Sequence, residues 1–388
     1  KAVDVQADYI NSWVLISTIR REQGQYQEAL EASEHVTAIN PSYAHAWNEK
    51  GMTLEAMQRY DEALKAYAKA ERYSTNQTAY LYKQADVLVL QGNFAEARLL
   101  LEKALEINNR VAYIWAKNGQ VLRKLHRLEE ALESYNNAVQ LDVNYAWAWS
   151  GRGLTLGLLG YHENALECFK RAVELDANDV WYWYNYAEEL IVHNEYEQAL
   201  EILDEAISIN PHHAESWSKI GQCLRGLKQS DDAIKAYRKA VDLMPDFAWA
   251  WNGLGLTLRS MGQMDEALSA YEQAIQHAPN IIWYHINFMT TLLTVGRLDE
   301  ALVAIENALK INPDHPTIWA RHGQVLRRME KYDLALESYS KAVENDPNYA
   351  WAWNGKGMCH TALEDPQSAL DCYLTAVKGS LHILYYLE

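Results

Sequence analysis

The sequence predicts an all-α solenoid of about eleven helix-turn-helix repeats. Three observations predict it: tryptophan recurs with a period of 34 residues, small residues recur at fixed places within that period, and no insertion or deletion breaks the spacing. Repeats of this length are typical of solenoids, because a two-helix unit cannot bury its apolar face alone and must stack on its neighbours.

Each element of the period has a physical reason. The repeats begin at residues 10, 44, 78, 112, 146, 180, 214, 248, 282, 316 and 350, and positions are numbered 1 to 34 from these starts. Position 4 is tryptophan in nine repeats, position 8 is mostly glycine, and position 20 is alanine in all eleven. The small residues allow the paired helices to approach closely. Proline at position 32 of six repeats ends the second helix.

This pattern resembles the tetratricopeptide repeat (TPR) family, whose motif is W-x2-L-G-x2-Y, then A-x3-F, then P. The resemblance covers nearly the whole chain. It implies a right-handed superhelix whose concave groove is lined by the first helix of each repeat. It also implies that positions 2, 5, 6, 9, 12 and 13 face the groove and that position 4 packs between the helices.

The repeat frame predicts the domain organisation. Residues 1–9 are similar to residues 239–247 and are predicted to be the tail of a preceding, truncated repeat. Residues 10–383 are predicted to form eleven repeats in one superhelical array. Residues 384–388 are predicted to be the start of a further helix or a cloning scar. The chain is therefore interpreted as a piece of a longer array or of a larger protein.

Composition and motifs disfavour several function classes. The net charge of −17 argues against duplex nucleic acid or an anionic membrane as partner. No apolar run is long enough to span a bilayer, and the four cysteines read as free thiols of a cytoplasmic protein. The sequence contains no catalytic constellation and no cofactor motif. Metal-ligand spacing is also absent, because the adjacent His212 and His213 lack a second ligand pair. The predictions are therefore no enzyme activity, no cofactor and no metal.

Five tryptophans at position 2 are predicted to form a row of exposed indoles in the groove. An exposed aromatic row suggests an interaction surface. The alternative is that these rings pack against the adjacent repeat. Three glycines four residues further on, Gly151, Gly253 and Gly355, suggest either a slot beside the indole or tight helix packing. The position-2 tryptophans are Trp147, Trp181, Trp249, Trp283 and Trp351.

Amides and basic side chains complete the predicted site. They follow a longer period of 102 residues. One interpretation is duplication of a three-repeat block alone. The other is that a pattern of ligand-facing residues has also been kept every three repeats. Basic residues at this spacing favour a partner with acidic groups; the alternative is a solvated face balanced by nearby acids. The amides are Asn185, Asn252, Asn287 and Asn354. The other residues are Lys117, Gln120, Arg123, Lys219, Gln222, Arg225, Arg321, Gln324 and Arg327.

The leading functional prediction is a scaffold that binds a protein or an extended peptide in its groove. One alternative is the sensor domain of a larger signalling NTPase, possibly antiviral, which long TPR arrays resemble. Another is the substrate-selecting array of a glycosyltransferase, which ranks lower because position 6 is asparagine only at Asn185 and Asn287. A chaperone-tail clamp is disfavoured, since no position-5 lysine occurs. The oligomeric state is left open.

Overall fold

Each repeat folds as two α-helices joined by a short turn. The computed structural model describes the backbone of residues 2–385 and the side chains of residues 9–379. Over that described backbone the chain forms twenty-two helices and no strand, which confirms the predicted all-α fold. Within each unit, the two helices of a repeat contact each other, and each second helix packs on the first helix of the repeat that follows it.

The chain divides into two compact units, residues 1–193 and 194–388. The division falls between the two helices of the sixth repeat; the single array over 10–383 stays a prediction. The first unit contains α1 (Ala2–Glu22), α2 (Tyr26–Ile39), α3 (Ala44–Ala56), α4 (Tyr60–Tyr73), α5 (Gln77–Leu90), α6 (Phe94–Ile107), α7 (Ala112–Lys124), α8 (Leu128–Leu141), α9 (Ala146–Leu158), α10 (His162–Leu175) and α11 (Val180–Val192).

The second unit repeats the same alternation of first and second helices, beginning with a second helix. It contains α12 (Tyr196–Ile209), α13 (Ala214–Gly226), α14 (Ser230–Leu243), α15 (Ala248–Ser260), α16 (Met264–His277), α17 (Ile282–Val295), α18 (Leu298–Ile311), α19 (Pro316–Arg328), α20 (Tyr332–Asn345), α21 (Ala350–Ala362) and α22 (Pro366–Tyr385).

The two terminal helices are longer than the others. Helix α1 is continuous from Ala2 and has no turn at the predicted repeat boundary before Ile10. In the similar segment 239–247, helix α14 ends at Leu243 before Pro245, whereas Ala7 stands at the corresponding place inside α1. Helix α22 continues to Tyr385, so residues 384 and 385 extend the last second helix rather than begin a separate one. Residues 386–388 of the predicted terminal segment lie outside the described residues.

The turn inside each repeat depends on one left-handed residue. Position 15 has a positive φ in all eleven repeats, between 58° and 82°. Five of these residues are glycine, which adopts this conformation without strain. The other six are Gln58, His126, Asn194, Lys228, Glu330 and Glu364.

In seven repeats, the core between the two helices contains an aromatic ring packed on a glycine. Where position 8 is glycine, position 24 on the second helix is tyrosine or phenylalanine; elsewhere position 24 is serine, leucine or isoleucine. A Cβ added at Gly255 would lie 2.7 Å from Cε1 of Tyr271, so a larger residue would displace the ring. The rings of Tyr67, Phe169, Tyr237 and Tyr271 have no exposed surface at all. These aromatic side chains, not the tryptophans, form the repeat core.

The position-4 tryptophans are only half-buried, which corrects the expectation that they fill the core between helices. Trp251 packs at the edge of a core cluster, and its indole N–H donates to the carbonyl oxygen of Pro245 at 2.8 Å. Position 4 lies beside the turn from the preceding repeat, and the indole holds that turn through this hydrogen bond. The same bond, at 2.6–2.9 Å, is made by Trp47, Trp115, Trp149, Trp183, Trp217, Trp319 and Trp353.

Candidate functional site

All the predicted site residues lie on first helices. In the first unit α7 contacts α9, and α9 contacts α11; in the second unit α13, α15, α17, α19 and α21 form the same succession. We call the surface that these odd-numbered helices form in each unit its first-helix face. Because neighbouring first helices touch, side chains from two or three repeats combine there into one site.

The predicted residues form three stations, 102 residues apart. Station 1 comprises Lys117, Gln120, Arg123, Trp147, Trp181 and Asn185. Station 2 comprises Lys219, Gln222, Arg225, Trp249, Asn252, Trp283 and Asn287. Station 3 comprises Arg321, Gln324, Arg327, Trp351 and Asn354.

A basic side chain covers one indole in each station. Nζ of Lys117 lies 5.4 Å from the ring centroid of Trp147, and Nζ of Lys219 lies 5.1 Å from that of Trp249. In station 3, Cζ of Arg321 lies 4.8 Å from the Trp351 centroid. These distances are within cation–π range. Position 6 of one repeat therefore stacks on position 2 of the next.

The predicted row of exposed indoles is wrong for two of its five members. Trp147 and Trp249 are half-buried, and a second ring packs beside each of them, as Tyr349 does beside Trp351. Phe247 lies 6.3 Å from Trp249, and Tyr145 lies 5.9 Å from Trp147, between ring centroids. Trp181, Trp283 and Trp351 are exposed by 48%, 67% and 37%. Packing against the adjacent repeat thus explains Trp147 and Trp249 in large part, as the alternative interpretation held.

The basic groups are not equally available. Lys117 pairs with Asp86 at 2.6 Å, so its charge is balanced inside the protein, which corrects its prediction as a cation for a partner. Among the described residues, no carboxylate pairs with Arg123, Arg225 or Arg327. These position-12 arginines are therefore unbalanced cations.

Each position-12 arginine lies against the buried tyrosine of its own repeat. Burial raises the pKa of Tyr135 to about 12, and Arg123 acts in the opposite direction by charge and hydrogen bonding. Burial likewise raises the pKa of Tyr339 to about 12, opposed by Arg327. The tyrosine therefore stays neutral and supports the guanidinium without cancelling its charge. Sequence reasoning missed this partner, although the aromatic position belongs to the TPR motif.

The glycines beside the indoles do not form open slots. A Cβ on Gly151, Gly253 or Gly355 would lie 2.4 Å from a ring carbon of Tyr135, Tyr237 or Tyr339. The tyrosine of the preceding repeat fills the space, so tight packing is the correct alternative.

The amides partly bond to one another between neighbouring first helices. Nδ2 of Asn287 donates to Oδ1 of Asn252 at 2.9 Å, and Nδ2 of Asn185 donates to Oγ of Ser150 at 3.2 Å. In station 3, Arg321 donates to Oε1 of Gln324 at 2.8 Å, and Asn354 is exposed.

Station 1 contains a notch of about 220 Å³ between α7, α9 and α11. Trp147 and Trp181 line it together with Asn185, Arg123 and Gln120. Oε1 of Gln120 and Nε of Arg123 are buried there without a hydrogen-bond partner among the described residues. The structure thus brings five predicted residues together around one small cavity with polar atoms in its wall.

One cluster of three side chains has potential metal-ligand atoms, although the sequence predicted no metal site. His162, Glu189 and His193 lie together in the first unit, where α10 begins and α11 ends. A sequence signal exists but is weak: each of these residues departs from what the same repeat position carries elsewhere.

Within the described residues, no helix combines the length and apolar character needed to cross a bilayer.

Family profiles match most of the chain. Profiles described as tetratricopeptide repeat match residues 15–77, 49–112, 248–281, 290–350 and 320–380, and one described as TPR repeat matches residues 119–160. The chain belongs to the tetratricopeptide repeat family. A further profile, described as anaphase-promoting complex, cyclosome, subunit 3, matches residues 159–240. TPR proteins are in general protein-interaction scaffolds, and this chain is a TPR solenoid.

Several solved structures are similar. MamA is 26% identical, with 41% of this chain and 93% of that chain covered and a TM-score of 0.38. YrrB, described as a TPR protein with an unusual peptide-binding site, is 24% identical, with 47% and 95% covered and a TM-score of 0.38. The APC/C hetero-tetramer Cut9-Hcn1 is 17% identical, with 96% and 87% covered and a TM-score of 0.43. No curated protein matches the chain.

Proposed function

We propose that this TPR array binds extended segments of a partner protein on the first-helix face of each unit, with the stations as contact points. The observation that carries the proposal is the station-1 notch, where two indoles, an amide and an unbalanced arginine converge on one cavity. A volume of about 220 Å³ suits one partner side chain rather than a whole small-molecule ligand, whose pockets are about 300–1,000 Å³.

The aromatic walls supply the apolar contact. Trp181 and Trp283 are the most exposed tryptophans of the stations, and exposed indoles on a soluble protein are typical binding anchors. Trp147 and Trp249 are held rigidly by the ring and the cation on either side. A partner side chain entering the notch would therefore meet one fixed wall and one exposed wall.

The polar atoms of the notch favour a partner with oxygen acceptors. Nε of Arg123 needs an acceptor, and Oε1 of Gln120 needs a donor. A peptide backbone offers both, and a carboxylate would additionally balance the arginine. Because Arg225 and Arg327 repeat this charge, we expect acidic residues in the bound segment and binding that weakens with salt.

The test begins with selection of ligands from a displayed library of random peptides on the intact chain. Affinities of selected peptides are then measured for the wild type and for Trp181→Ala, Trp283→Ala and Arg123→Gln. Each substitution should weaken binding by about tenfold or more, as expected for an interface anchor.

Matched controls are Leu99→Ala and Val303→Ala, whose side chains are 59% and 58% exposed but lie on the second helices α6 and α18. They should leave affinity unchanged. Selected peptides that lose affinity with these controls, but not with the tryptophan variants, would place binding on the second helices and reject the proposal.

A further inference from the structure

We infer that His162, Glu189 and His193 form a binding site for a divalent first-row transition ion of the zinc type. Nδ1 of His162 lies 3.1 Å from Oε1 of Glu189, and Nε2 of His193 lies 3.6 Å from the same oxygen. Ligand atoms around a tetrahedral zinc ion, with bonds of about 2.0–2.1 Å, are separated by about 3.3 Å. Both separations from the carboxylate oxygen are therefore close to those that such an ion requires.

The ligand set has the right chemistry for this ion class. One donor atom from each residue lies within 4.8 Å of the other two. Two imidazoles and one carboxylate suit zinc and its neighbours, whereas magnesium and calcium prefer oxygen ligands alone. Three protein ligands leave a position open for water or for a group of another molecule.

Burial holds the ligands in place. The side chains of His162 and Glu189 are 16% and 11% exposed, and that of His193 is 40% exposed. The two imidazole rings lie with centroids 3.5 Å apart and are tilted by 33° to each other. The carboxylate is thus fixed below the surface, while His193 leaves a path for an ion to enter.

The cluster consists of departures from the repeat pattern. Position 17, which His162 occupies, is aromatic or apolar in nine of the other repeats and serine in the tenth. Position 10, which Glu189 occupies, is valine, threonine, isoleucine or cysteine in all ten others. Position 14, which His193 occupies, is otherwise apolar or glutamine. Only in this place do histidine, glutamate and histidine occupy these positions, and they converge although 31 residues separate the first from the last. Repeat packing alone therefore does not explain them.

A fourth departure makes room for the carboxylate. Gly157 is the single glycine at position 12 among the eleven repeats. A Cβ at this residue would lie 2.3 Å from Oε2 of Glu189, so any larger residue would displace the glutamate. Four coordinated changes at one place favour a site over a chance cluster.

The test is zinc titration of the intact chain by isothermal calorimetry after treatment with a chelator, with cobalt(II) absorption as a second readout of coordination. We expect one equivalent to bind at micromolar or lower dissociation constant. His162→Tyr and Glu189→Thr restore residues common at these positions and should remain folded by circular dichroism. Each should weaken zinc binding by at least about tenfold, since each removes one of three ligands.

The matched control is His277→Ala, which removes an exposed histidine of helix α16 outside the cluster and should leave zinc affinity unchanged. Failure of the wild type to bind zinc, or equal affinity in folded His162→Tyr and Glu189→Thr, would overturn the inference. The cluster would then be an internal hydrogen-bonded group.

Discussion

At the scale of single residues, the tryptophans at positions 2 and 4 of one repeat have different structural roles. Trp251 donates its N–H to the turn before it, whereas Trp249 lies between Phe247 and Lys219. The spacing of the two residues places them on opposite sides of the helix. Both side chains are nevertheless half-buried, so neither is a core residue nor a fully exposed one. The exposed tryptophan of station 2 is Trp283.

Trp251→Ala should destabilise the chain by about 3 kcal/mol, because it removes ring packing and the hydrogen bond to Pro245. Trp283→Ala should cost less than about 0.5 kcal/mol, because this side chain is 67% exposed. Urea unfolding followed by circular dichroism measures both. Equal losses for the two variants would show that Trp283 also has a packing role.

Gly253→Ala should destabilise the chain by about 1–3 kcal/mol, because its Cβ would lie 2.4 Å from Cε1 of Tyr237. Helix propensity alone predicts the opposite sign, a gain of about 1 kcal/mol. Thermal unfolding of the variant decides between them. A higher melting temperature would mean that the slot is open, as the discarded interpretation of this glycine held.

At the scale of the helix pair, the left-handed residue of the turn is a uniform requirement that the sequence satisfies in two ways. Glycine meets it without strain, while Lys228 and Glu330 adopt φ of 62° despite their side chains. Left-handed backbone costs about 1–2 kcal/mol for such residues. The packing of the two helices on each other must offset that cost.

Lys228→Gly should therefore stabilise the chain by about 1 kcal/mol, because it removes this backbone strain. The greater conformational entropy of glycine in the unfolded chain reduces that gain. Asn194→Gly is the comparison, since asparagine tolerates this conformation and its replacement should give a smaller gain. Denaturant midpoints of the two variants test the order. A loss of stability in Lys228→Gly would show that the lysine side chain contributes more than its backbone strain costs.

At the scale of the whole molecule, the buried tyrosines give the solenoid a common response to alkaline pH. Tyr135, Tyr182 and Tyr339 each have a pKa raised by burial to about 12 from an ordinary value of 10. A group whose pKa is raised on folding contributes stability fully below its unfolded pKa and loses that contribution as pH rises through the folded one.

Stability should therefore fall between about pH 10 and 12, by up to about 1.4 kcal/mol per pH unit for each such tyrosine. Tyr135→Phe removes one titrating group and should make the decline less steep, whatever its effect at neutral pH. Denaturant unfolding at several pH values measures the slope. An unchanged slope would show that Tyr135 ionises without opposing the fold.

The sequence by itself determined the repeat, its register, the all-α fold and the helices that carry the stations. It could do so because each repeat contacts its neighbours alone, so a fixed period sets the same contacts again and again. The position of Gln120, Arg123 and Trp181 on first helices followed directly from that register.

Only the tertiary structure decided what each side chain touches. Lys117 covers Trp147 and pairs with Asp86, Tyr135 fills the space beside Gly151, and Trp147 loses the exposure that its position predicted. The convergence of His162 with His193 likewise needs α10 docked against α11. A period fixes the direction of a side chain along its own helix. Its neighbours come from other repeats, whose side chains differ, so packing between repeats decides burial, charge pairing and ligand geometry.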